Sequence, residues 1–306
     1  MGEVEMGNQL RISLRRVMSV LIVVAGLVPL IAGCAGRQAA YVLPEVSQKG
    51  DSTRVESLMN EGDAHYEKRE DTKSLDAAIE SWEKVLEIDP QHQTALIKLS
   101  IACYWMGNGH LNDKDAKIAY FNKGAQYGER AMALNPEFKE LMKQGKKDYE
   151  CLNVLGKQEL PAVYWAYCNL GRWAVNQGFV AILKYKKKLK TFIDWVVETD
   201  EEFQHAGGHR SVAVYYAKAP SFAGGDLVKS KYHFDRSLEI APNYFTTKLL
   251  MAEFYAYKTQ DREMFVRLLN EVINTDPAVL PNDVPEQKIS QAKATALLEK
   301  ADDMFE

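Results

Sequence analysis

From Ser57 onward the sequence predicts an all-α fold: an irregular α-solenoid of helix pairs closed by a C-terminal capping helix. Three observations predict it. Strand-like alternation is almost absent, while apolar residues recur at spacings of three and four, the period of one helix face. Four similar phrases end in proline: EKVLEIDP at Pro90, ERAMALNP at Pro136, DRSLEIAP at Pro242 and NEVINTDP at Pro277. The last two prolines lie 35 residues apart, and proline cannot continue a helix, so each amphipathic run closes there.

A period of ~34 residues with a closing proline is that of the tetratricopeptide repeat. The first repeat carries Gly62, Tyr66, Ala78, Trp82, Val85 and Pro90. Gly62 and Ala78 stand 16 residues apart, which implies a long turn between its helices. The second, from Thr94 to Pro136, contains the insertion GNGHLNDKDAK. In the third, Tyr167, Leu170 and Gly171 give the aromatic-x-x-Leu-Gly phrase, and no proline closes it near Asp200. The fourth runs from about His209 to Pro242. There Pro220 ends the first helix, Gly224 and Gly225 make the turn, and Asp226 caps the second. The fifth begins at Thr246: Leu249, Ala252 and Ala256 line one helix, and Phe265, Leu269 and Val272 the other. Stacked pairs bury their faces only against neighbours, so a capping helix is expected, from Glu286 to Phe305.

The N-terminus reads differently. Arg11, Arg15 and Arg16 precede an apolar run from Val17 to Ile31, too short for the ~20 residues that a spanning helix needs. A positive flank, a short apolar core and a small-residue exit are the marks of a secretory leader. Glu3 and Glu5 fit such a flank poorly, which leaves both Met1 and Met6 open as the start. The exit, Ile31-Ala32-Gly33-Cys34, resembles the lipobox of bacterial lipoproteins. This predicts a leader over residues 1–33, lipidation of Cys34, a flexible tether over 34–54 and the solenoid over 55–306. Two or three acyl chains on Cys34 would anchor the chain stably, at ~0.8 kcal/mol per buried methylene. Ala35, rather than Asp, after the cysteine points to the outer membrane more than the inner.

A net charge of −4 and an isoelectric point near 6.0 argue against nucleic-acid binding. No Gly-rich phosphate loop, G-x-S-x-G or H-E-x-x-H occurs, so neither an enzyme nor a cofactor is predicted. Cys103 and Cys168 sit in apolar helical patterns, either as small buried hydrophobes or as a disulfide pair. His205 and His209 have the spacing of metal ligands, but Gly207-Gly208 between them favours a loop at a helix start, and no metal is predicted. Lys184, Lys186, Lys187, Lys188 and Lys190 read as a solvated helix face.

Tyr164, Trp165, Tyr167 and Trp173 share one helix and, at ~100° per residue, cannot all face one way. The surplus aromatics are candidates for an apolar ligand pocket. The candidate ligand-binding residues are Tyr164, Trp165, Asn169, Trp173 and Tyr215.

Four stretches carry a family resemblance: KGAQYGERAMALNPEF (123–138), LPAVYWAYCNLGRW (160–173), GGDLVKSKYHFDRSLEIAPNY (224–244) and AKATALLEKADDMF (292–305). With the lipobox, they resemble the T-component (TatT-like) lipoproteins of tripartite ATP-independent periplasmic (TRAP) transporters. LKYKKKLK (183–190) is more basic than that family's pattern, and LPNDVPEQKIS replaces its usual last connection. The resemblance implies a lipid-anchored protein facing the periplasm. It also implies association with the transporter's substrate-binding P-component, a homotrimer with a central pore, and delivery of an organic, hydrophobic ligand. The competing expectation is a repeat-built adaptor of an outer-membrane assembly or secretion complex that binds no small molecule.

Overall fold

The computed structural model describes residues 37–43 and 51–305, and the leader, Cys34 and residues 44–50 of the tether lie outside these residues. The chain divides into Met1–Gln38, of which only Arg37 and Gln38 are described, and the folded unit Ala39–Glu306. Among the described residues there is no strand, and the fold is an all-α, solenoid-like stack.

The first hairpin is α1 (Ser52–Tyr66) and α2 (Thr72–Ile88). Asp51 and Asp71 cap them, their side chains accepting from the Arg54 and Ser74 amides at 3.1 and 2.8 Å. Gly62 lets the Trp82 indole lie directly on α1, where a Cβ would overlap the ring. Asp89, held out of the α region by Pro90, ends α2. The second hairpin is α3 (Gln93–Trp105), which ends in a π turn (Met106–His110), and α4 (Lys114–Met132), capped by Asp113. The insertion foreseen in this repeat is that π turn and the cap after it.

Pro136 does more than close a repeat. It sits in the first turn of a further helix, α5 (Pro136–Lys143), capped by Asn135. Two short 3₁₀ turns (Asp148–Glu150, Leu152–Val154) lead to the third hairpin, α6 (Leu160–Gln177) and α7 (Phe179–Thr199). Gly178, at φ +103°, supplies the reversal between them. The fourth hairpin is α8 (Phe203–Lys218) and α9 (Leu227–Ile240). Here Ala219-Pro220 stops α8, Gly224 turns at φ +89°, and Asp226 accepts from the Lys229 amide at 3.0 Å. The fifth comprises α10 (Phe245–Leu250), a π segment (Met251–Ala256), α11 (Tyr257–Thr259) and α12 (Arg262–Asn274). The closing element is α13 (Val284–Leu298), followed after a break by α14 (Ala301–Met304).

Consecutive pairs share buried faces. One core joins Leu75, Trp82, Leu96 and Leu99 to Val163 and Phe192. A second surrounds Phe234, Phe245, Phe265 and Leu269. α4 and α6 approach closely because Gly124 and Gly128 leave room for Asn169 and for the backbone at Ala166.

α13 does more than cover the last repeat: it returns to the first two. Arg69 binds Glu286, Lys288 pairs with Glu70 at 2.8 Å, and Lys293 donates to Asn108 at 3.1 Å. Ile289 packs on Gly109. The stack thus closes on itself, and the inner faces of α6, α8 and α10 line a lumen that is open at one end.

Two expectations are corrected by packing. Lys188 is not solvated: it is buried and meets Asp148 at 2.5 Å and Glu129 at 3.2 Å. The tether is ordered in part, since residues 39–43 lie along the folded unit. The Ala40 amide donates to Glu129 at 3.0 Å, Tyr41 donates to Asp148, and Leu43 is buried.

Candidate functional site

The lumen holds a cavity of about 370 Å³ lined chiefly by α6, α7, α8 and α10, within the ~300–1,000 Å³ of small-molecule sites. Its walls are mostly apolar and aromatic. Tyr104 on α3 packs against Trp165 (5.4 Å between centroids), and Trp165 against Tyr164 (5.1 Å, edge-on). At the outer end stand Phe179, Leu183 and Phe222, which are 69%, 52% and 92% exposed. A second cavity of about 310 Å³ lies between α10, the π segment and α13, and shares Trp105, Arg172, Thr246 and Leu250 with the first.

Three of the residues singled out by sequence, Tyr164, Trp165 and Tyr215, line the larger cavity. Asn169 and Trp173 face elsewhere. Asn169 is fully buried between α4 and α6, donating to the Ser100 and Trp165 carbonyls at 2.9 Å each. Trp173 packs edge-on against Tyr185 at 5.5 Å, in the core between α6 and α7.

The charged residues of the cavity escaped sequence reading. Arg172, Lys186, Arg210 and Lys218 line it, and no Asp or Glu does. Arg210 is 5% exposed and makes no ion pair among the described residues. Neutral groups hold its charge: the His205 carbonyl (2.9 Å), the Gln204 carbonyl (3.3 Å), Thr247 Oγ1 and Tyr164 Oη (both 3.4 Å). The guanidinium also lies 4.6 Å from the Tyr244 ring centroid. Those two carbonyls are aimed by an unusual turn, in which Gln204, His205 and Ala206 all have φ between +52° and +56°. Three successive left-handed non-glycine residues cost about 1–2 kcal/mol each. Their one sequence cue is the loop expected at Gly207-Gly208.

Burial raises the Tyr164 phenol well above its ordinary range and pushes the Cys168 thiol up to about 12. In the second cavity burial lowers the Lys293 ammonium to about 7, with Arg172 adding repulsion. Burial also raises the Glu253 carboxyl, against the pull of Arg172, Lys218 and Lys293.

His205 and His209 take separate partners. His205 stacks on Tyr244 and meets Asp283 at 3.1 Å, while His209 contacts His233 at 2.8 Å and Glu201 at 3.0 Å. Among the described residues no group of three or more His, Cys, Asp or Glu is placed to hold a metal ion. Cys103, Cys151 and Cys168 are free thiols, so the pairing left open for Cys103 and Cys168 is not made. Among the described residues no helix is long and apolar enough to cross a membrane.

A stack of helix pairs around an apolar cavity defines a protein of the helical-repeat class. A family model for the TRAP transporter T-component matches residues 111–305, and the chain belongs to that family. The protein is therefore an accessory component of a TRAP transporter, in a family not known for enzymatic activity. Comparison with curated proteins finds no match.

Proposed function

We propose that this T-component is a lipid-anchored periplasmic protein that binds the transporter's P-component and carries a hydrophobic organic ligand in its lumen. The observation that carries the ligand reading is the apolar cavity of about 370 Å³, opening past Phe179 and Phe222. Burying an apolar body there gains roughly 25 cal/mol per Å² of surface removed from water. The leader and the lipobox at Cys34 support the anchor, with Ala35 favouring the outer membrane. Membership of the family supports the P-component as partner and a homotrimer as the assembled form.

The test is co-purification of the detergent-solubilised full-length protein, with its partners identified by mass spectrometry. Recovery of a TRAP substrate-binding protein is the expected result. Recovery of outer-membrane assembly or secretion factors alone would overturn it in favour of an adaptor. Cys34→Ser should move the protein from the membrane to the soluble fraction, and unchanged fractionation would remove the anchor.

A further inference from the structure

The lumen is more cationic than an apolar carrier requires. Four basic side chains and no carboxylate line the larger cavity, in a chain whose net charge is −4. Arg172 lines both cavities, where the second adds Lys293 and Lys300 against the single acid Glu253. Arg172 and Arg210 are withdrawn from solvent and make no ion pair among the described residues; desolvated positive charge is costly, so a site that keeps it is suited to charge brought from outside. Low-dielectric walls also focus the field and raise the local concentration of an oppositely charged solute.

We infer that the lumen binds an amphiphilic organic anion, with its charged group at Arg172 and its apolar body among the aromatic and aliphatic walls. This deepens the ligand-carrying part of the proposed function and rests on it. Arg210 is already engaged by four neutral acceptors, which fixes its place in the inner wall. Arg172, by contrast, has Tyr104 as its side-chain partner and makes no ion pair among the described residues. It stands where the two cavities meet, able to present its planar fork to a carboxylate or phosphate. Lys293 flanks the same position from the second cavity, where Glu253 is the one acidic side chain in the wall. The apolar part has ample length to occupy: Tyr164 and Val175, both on the cavity wall, are eleven residues apart on α6, or ~16 Å at ~1.5 Å per residue.

The experiment titrates the full-length protein, held in zwitterionic nanodiscs, with octanoate, octyl phosphate, 1-octanol and octylammonium. Tryptophan fluorescence is the readout, since Trp105 and Trp165 line the lumen. Octanoate or octyl phosphate should bind saturably and at least ~10-fold more tightly than 1-octanol, with octylammonium weakest. The stronger of the two anions tells a carboxylate ligand from a phosphate one. Arg172→Gln should weaken anion binding at least ~10-fold and leave 1-octanol within ~2-fold, and Arg172→Lys should recover part of the loss. If Arg172→Gln does not fold, Lys293→Met provides the same test, with anion binding weakened several-fold and 1-octanol unchanged. Equal affinity for 1-octanol and both anions, or an anion affinity indifferent to these substitutions, overturns the inference while leaving an apolar ligand in place. Saturable binding of none of the four overturns both.

Discussion

The Arg69 guanidinium grips the Glu286 carboxylate through two contacts, Nε to Oε1 at 2.7 Å and Nη2 to Oε2 at 2.9 Å, across 217 residues of sequence. The two side chains are 14% and 6% exposed, so this is a largely desolvated, bidentate pair. It joins the turn of the first hairpin to the helix that closes the stack. Removing one partner strands the other charge inside, which costs roughly 3–5 kcal/mol. Arg69→Ala is therefore expected to lower the urea midpoint and to speed amide exchange in α13 well before the α4–α6 core. Exchange that rises evenly along the chain would show that α13 is not a separable latch.

Asn169 and Trp165 separate structure from ligand binding. Asn169→Ala removes two buried donor contacts, one to the Ser100 carbonyl on α3 and one to the Trp165 carbonyl within α6, and should cost about 1–3 kcal/mol of stability. Binding of an apolar fluorescent probe should stay as it was, and Trp173→Ala should behave alike, since neither residue reaches the cavity. Trp165→Ala widens the cavity wall and should weaken probe uptake while the far-ultraviolet circular dichroism is retained. Probe binding that survives Trp165→Ala, or falls with Asn169→Ala, would move the site elsewhere.

His233 makes stability depend on pH. Burial first, and then the charges of His209 and Lys190, lower its pKa to about 4, against ~6.5 for the unfolded residue. The unfolded chain takes up a proton that the folded one refuses, so stability is full above the unfolded value and declines as pH falls from ~6.5 towards 4. Denaturant midpoints at pH 7.5, 6 and 5 should fall in that order. His233→Gln should flatten the trend, and an equally steep slope in that variant would assign the titration to other groups.

How much of this could be read in advance depended on the range of the interaction. Caps and stops such as Asp226 and Pro220 act over a few residues, and their chemistry stands in the sequence beside the turn they make. The Pro-terminated phrases mark helices because periodicity is local too. The return of α13 to the first hairpin has no local sign, since Arg69 and Glu286 are ordinary surface residue types until the stack curves enough to bring them together. Lys188 was hidden by its neighbours: in a run of lysines one residue of the helix face turns inward, and only the distant Glu129 and Asp148 make that tolerable. Arg172 and Arg210 were masked likewise, since each adjoins a residue, Trp173 or His209, whose type is the stronger local sign of a site.

The left-handed turn beneath Arg210 gives a last prediction. Gln204 stands at φ +52°, ψ +52°, where a side chain costs about 1–2 kcal/mol and glycine is at ease. Replacing it with glycine also loosens the unfolded chain, which offsets about 0.4–1 kcal/mol of the relief. Gln204→Gly should therefore raise stability by roughly 0.5–1 kcal/mol, read as a higher midpoint in urea. The carbonyl that faces Arg210 belongs to the backbone and remains, so ligand affinity should be kept. A loss of stability in this variant would mean that the Gln204 side chain, which lines the cavity, holds the turn together more strongly than its strained backbone opposes it.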